Sequence, residues 1–93
     1  MDEHGTVVGG NSPYEQARFI YQKIADALRA AGSSLNDVIR VRTFATDVAR
    51  WEEVARAQGE VFADTRPAAT LVQVAGLVRP DLLVEIEVDA MIQ

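Results

Sequence analysis

Apolar side chains recur at helical spacing between Ser12 and Gly32. Ala17, Ile20, Ile24, Ala27, Leu28 and Ala31 form one stripe, with Gln16, Arg18, Lys23, Asp26 and Arg29 on the outer side. Ser12 suits the N-cap, Pro13 the first helical position, Glu15 the third residue of a capping box, and Gly32 the stop. From Val38 to Thr46 the period shortens to two. Ile39, Val41, Thr43 and Ala45 share one side, and Val38, Arg40, Arg42 and Phe44 the other. Asp47 predicts the cap of a second helix reaching Phe62, with Trp51, Val54, Ala55, Gln58, Val61 and Phe62 inward. Residues 66–77 and 82–90 then read as two strands joined by a turn. The last of them sets Val84, Ile86, Val88 and Ala90 against Glu85, Glu87 and Asp89. Thr6-Val7-Val8, ahead of Gly9-Gly10, predicts a short opening strand.

This order is strand, helix, strand, helix, strand, strand, in one domain over residues 1–93. Two amphipathic helices need one face of a sheet to lie on, which predicts an α+β two-layer sandwich with both helices on one side of a mixed sheet. The other sheet face is then expected to show Arg40, Arg42, Gln73, Glu85, Glu87 and Asp89, mixed with Val38, Phe44, Leu71 and Leu83. Two readings of that face stay open. It is either a solvated surface laced by cross-strand salt bridges, or a self-association surface that also lines a pocket.

Composition narrows the chemistry. Fourteen Asp and Glu stand against nine Lys and Arg, a net charge of −5. That balance lacks the basic stripe by which nucleic-acid binders displace counterions, so no nucleic-acid partner is expected. With no cysteine and one histidine, His4, neither a thiolate site, a zinc–thiolate site nor a serine triad can be assembled, and no metal is expected. No apolar run approaches the length of a membrane span, and the first residues carry neither the basic nor the apolar part of a secretory signal. A cytoplasmic protein without a membrane partner is expected.

The helix end Ala30-Ala31-Gly32, the turn Ser33-Ser34-Leu35-Asn36-Asp37-Val38 and the strand Val41-Arg42-Thr43-Phe44-Ala45-Thr46-Asp47 carry a resemblance. With Arg66-Pro67-Ala68 and Val84-Glu85-Ile86-Glu87-Val88, they resemble the Rid family, also known as the YjgF/YER057c/UK114 family, from about Gly5 to Ala90. The resemblance implies a chorismate-mutase-like fold and a homotrimer with sheets inside, helices outside and small-molecule pockets at the subunit interfaces. It also implies hydrolysis of enamine or imine intermediates to 2-oxo acids and ammonia, without a cofactor. Older labels in the family include endoribonuclease. Glu85 matches the pocket glutamate that would activate water, so it is the expected catalytic residue. Gln73, Ala69 and Arg42 are the expected ligand-binding positions, with Ala69 and Gln73 facing the same side as Leu71, and Thr70 the helix side. Two departures from the pattern stand out. Ala69 replaces the arginine that clamps a substrate carboxylate, and the β-hairpin that opens family members is expected to be missing. A ligand-sensing or protein-interaction trimer without chemistry is the alternative.

Overall fold

The computed structural model describes residues 1–2 and 4–92. Its elements run α1 (Pro13–Ala30), β1 (Val38–Ala45), α2 (Trp51–Phe62), β2 (Ala68–Gln73) and β3 (Val84–Ala90), with 3-10 turns at Leu35–Asp37 and Val48–Arg50. β1 is central. It pairs in parallel with β2 and antiparallel with β3, so the sheet order is β2-β1-β3. The two closing strands are therefore not a hairpin: residues 74–83 carry the chain past β1 from one edge to the other.

Ser12 caps α1, its Oγ accepting from the Glu15 backbone N–H at 3.1 Å. The capping box stays half-formed, because the Ser12 N–H donates instead to the Gly9 carbonyl at 3.0 Å, while the Glu15 carboxylate lies 3.8 Å from Arg18. Gly9 sits at φ 107°, and a Cβ there would meet the Gln16 backbone nitrogen at 2.6 Å. That tight turn takes the place of the predicted Thr6–Val8 strand, which does not form. α1 ends as expected at Gly32, φ 82°, with Ser33 N–H on Leu28 O at 2.8 Å and Gly32 N–H on Arg29 O at 3.1 Å.

The helices cover one face of the sheet. Ala17 and Tyr21 of α1, Val54, Ala57 and Phe62 of α2, Val38 and Val41 of β1, and Val84 and Ile86 of β3 form the core. Tyr21 meets Phe62 edge-on, ring centroids 5.4 Å apart. Four predicted orientations are corrected. Ala55, placed inside, is exposed, and Ala57 takes the core position on α2. Gln16, placed outside, is buried at 2% exposure. Trp51, placed inside, is 52% exposed, because Asp47 caps a 3-10 turn, its Oδ1 accepting from Ala49 N–H at 3.1 Å, and this turn rotates the α-helix that follows. Val38 is buried while Ile39 is 50% exposed. Between Val38 and Arg40 the register with β3 slips by one residue, and the bulge resets the alternation.

Among the described residues, the Tyr21 and Thr43 hydroxyls are buried without a hydrogen-bond partner. Burial pushes the Tyr21 phenol up to about 12, with the neighbouring Thr43 hydroxyl acting against it. This phenol stays protonated and serves packing.

Candidate functional site

Register places the side chains of the uncovered sheet face in three cross-strand rows. Ala68, Arg40 and Asp89 form the first, Thr70, Arg42 and Glu87 the second, and Val72, Phe44 and Glu85 the third. Neighbours in such a row are about 5 Å apart. The first two rows neutralise themselves. Arg42 Nε donates to Glu87 Oε1 at 2.7 Å, while its Nη1 and Nη2 grip the two Asp89 oxygens at 3.0 and 3.3 Å. Arg40 Nε adds a bond to Asp89 Oδ2 at 3.0 Å. The Arg42 guanidinium, bonded first to Asp89 and then to Glu87, is raised above its already high value. Asp89 is held below the usual carboxylate range by Arg42 and then Arg40.

The third row differs. Glu85 is exposed and makes no side-chain hydrogen bond or ion pair among the described residues. Its row partners are the half-buried Phe44 and the 41% exposed Val72. This acid lies beside apolar surface with no cation engaging it among the described residues; any surface that covers it removes water and strengthens every charge interaction there.

The structure brings Arg42 and Glu85 to one face and sends the other two predicted site residues to the opposite one. Ala69 pairs with Val41, and Gln73 with Ala45. Both partners point into the core, as does Leu71, which packs against it. Ala69, Leu71 and Gln73 therefore face the helices, whereas Thr70 and Val72 face outward, the reverse of the expected parity. Gln73 Oε1 accepts from the Val48 backbone N–H at 2.9 Å, fastening the end of β2 to the 3-10 turn ahead of α2. Leu71 and Val72 are both apolar, so alternation alone left the face of β2 undetermined; Val72 is the residue of the open face that sequence reasoning missed.

Among the described residues, no spare guanidinium stands in the Glu85 row. Among the described residues, Arg66 is the one arginine whose side chain makes no ion pair, hydrogen bond or ring contact. It precedes β2 at φ 45° and borders a groove with Gln58, Phe62 and Pro67, at the end of the sheet away from the Glu85 row. A groove of about 480 Å³ runs along the helices past Phe19, Gln22, Leu35 and Val61 and touches none of the predicted site residues. At the margin of the helical layer, Tyr14 donates to Glu60 at 2.6 Å, a bond that raises the phenol above its ordinary value. Arg56 stacks on the Tyr14 ring, 3.6 Å from its centroid. No group of three His, Asp or Glu side chains is placed to hold a metal ion among the described residues. No helix among them is long and apolar enough to cross a membrane.

The family model described as Endoribonuclease L-PSP matches residues 1–92. The crystal structure of Rv2704 from Mycobacterium tuberculosis, a member of the YjgF/YER057c/UK114 family, is 40% identical with a TM-score of 0.88, covering 94% of this chain and 74% of that one. This chain belongs to the Rid family. A further Rid-family structure, YyfB from Yersinia pestis, has a TM-score of 0.88 at 29% identity, over 98% of this chain and 71% of that one. The 3-aminoacrylate deaminase RutC of Acinetobacter baylyi is 38% identical over 86 residues, 92% of this chain and 68% of that protein. The Rid-family fold of these structures is the chorismate-mutase-like sandwich, with two helices on one face of a mixed sheet.

Proposed function

We propose that this Rid-family chain binds a small enamine or imine on its open sheet face and hydrolyses it, with Glu85 as the group that handles the proton. One observation carries this reading: Glu85 is the carboxylate of that face which no arginine neutralises, while Glu87 and Asp89 beside it are locked by Arg42 and Arg40. The similarity to a 3-aminoacrylate deaminase supports an enamine or imine as the reacting group. The site is open in a single chain, so the reading includes a homotrimer in which a neighbouring copy covers the face and completes the pocket.

In this mechanism Glu85 orients a water and accepts its proton as the oxygen attacks the C=N carbon of the iminium. The resulting carbinolamine receives that proton on nitrogen; as the C–N bond breaks, its hydroxyl proton passes to Glu85, the carbonyl forms, and Glu85 hands the proton to the departing ammonia. One iminium cation and one water thus become one carbonyl compound and one ammonium ion, with no oxidant or metal needed. General acid–base help of this kind is worth about 10²–10⁴ in rate. Imines generated in place by an amine oxidase, or by an amino-acid oxidase, test the reading through the rate of ammonia release. The wild type should accelerate release, and Glu85→Gln should lower that acceleration about a hundredfold or more without changing the circular dichroism spectrum. Equal rates for the two proteins would overturn the role of Glu85.

A second reading, ligand sensing without chemistry, is favoured by one specific feature. No free guanidinium lies in the Glu85 row to fix a substrate carboxylate, since Arg42 is engaged and position 69 is alanine. A metabolite that raises the melting temperature and is recovered unchanged would select it.

A further inference from the structure

We infer that the ligand of this face is a cationic nitrogen on an apolar body, an iminium or ammonium species without a carboxylate. This rests on the reading of Glu85 as the ligand-binding group and adds the substrate class. Three observations on the open face converge.

The first is charge. Two guanidiniums, Arg40 and Arg42, meet three carboxylates there, Glu85, Glu87 and Asp89, so one negative charge is left over, and it resides on Glu85 at the end of the face. A cation is drawn to that point, whereas a ligand carboxylate is repelled by Glu85 and finds no free guanidinium on this face of the chain to offset the repulsion.

The second is the row itself. Val72 and Phe44 continue the line of Glu85 across all three strands with no donor or acceptor in their side chains. A hydroxyl, amide or second carboxylate laid along them would lose its water without gaining a partner, while each methylene laid there gains about fourfold in affinity. The third is rigidity. Arg42 is tied to Glu87 and Asp89 by three hydrogen bonds. Swinging it toward a ligand anion would strand two carboxylates, so it is not a latent clamp.

Protein amide and methyl NMR shifts, titrated with n-butylammonium and separately with butanoate and 2-oxobutanoate, give the test with unreactive probes. The expected result is a saturable shift of Val72, Phe44 and Glu85 with n-butylammonium, at least about tenfold tighter than with either carboxylate. The binding should weaken as salt is raised, and Glu85→Gln should weaken it at least about tenfold. Ethylammonium should bind more weakly than n-butylammonium, and Val72→Thr should narrow that gap. Tighter binding of 2-oxobutanoate, no saturable shift with n-butylammonium, or an affinity indifferent to Glu85→Gln overturns the inference. Turnover separates it from the parent reading. Binding of n-butylammonium without hydrolysis of any imine sinks the chemistry and keeps the ligand class. Glu85-dependent hydrolysis that prefers imines bearing a carboxylate does the reverse.

Discussion

Arg42 decides the character of the open face because one guanidinium serves two acids, Glu87 at 2.7 Å and Asp89 at 3.0 Å. Its planar fork suits this double duty, which a lysine could not reproduce. Asp89 is held below its ordinary value, so its folded pKa lies under its unfolded value of about 3.9. The sign follows: the contribution of this carboxylate is complete above about pH 4 and is lost as pH falls through the folded value. Carbon-13 NMR titration of the aspartate carboxyls should show Asp89 among the lowest midpoints. Arg42→Ala should move it up toward the ordinary range, and an unmoved midpoint would contradict the assigned pairing. At this scale the sequence was legible for Glu85, Glu87 and Asp89, whose alternation with Val84, Ile86 and Val88 admits one orientation. It was not legible for Ala69 and Gln73, because Ala-Ala-Thr-Leu-Val-Gln has no polar–apolar alternation to set its phase.

The start of β3 is held by a side chain from another element. Gln16 on α1 accepts from Leu83 N–H at 2.8 Å and donates to Asp81 O at 3.0 Å and Gly10 O at 2.8 Å. On the other side, the Leu83 carbonyl accepts from Thr46 N–H at 3.0 Å. With Leu83 pinned from both sides, the phase of β3 is set two residues before Glu85. Replacing Gln16 by Leu keeps the volume and removes all three bonds, leaving part-buried backbone groups unpaired. We expect a loss of about 1–3 kcal/mol, a drop of several degrees in Tm for a domain of this size, and faster amide exchange at Leu83. Unchanged exchange at Leu83 would refute the latch. Helical spacing cannot reveal such a residue. Glutamine at the edge of an apolar stripe looks solvent-facing until the partner segment, 67 positions away, is seen to pass over it.

The arrangement of the whole molecule places helices on one side and leaves the sheet bare on the other. Residues such as Val72 and Ile39 are exposed there and at the bulge of β1. A proposed trimer gives that face its cover. Sedimentation velocity at micromolar concentration should return three times the mass of the chain. A single species at the chain mass would count against the shared pocket while leaving the fold intact. Assembly of this sort is written into complementary surfaces rather than into the periodicity of any one segment, which is why the sequence left two readings of the face open.

The sequence by itself determined the two helices, the cap of the first at Ser12, the alternation of β1 beyond its bulge and of β3, and the acidic side of the last strand. These follow from local spacing and from backbone groups that only nearby residues can satisfy. Tertiary structure decided the rest: β1 between β2 and β3, the face shown by β2, the burial of Gln16, the exposure of Trp51, and the isolation of Glu85 beside Phe44 and Val72. Each of these depends on which distant strand lies alongside. Pairing fixes the register of a whole strand at once, and no local pattern contains it.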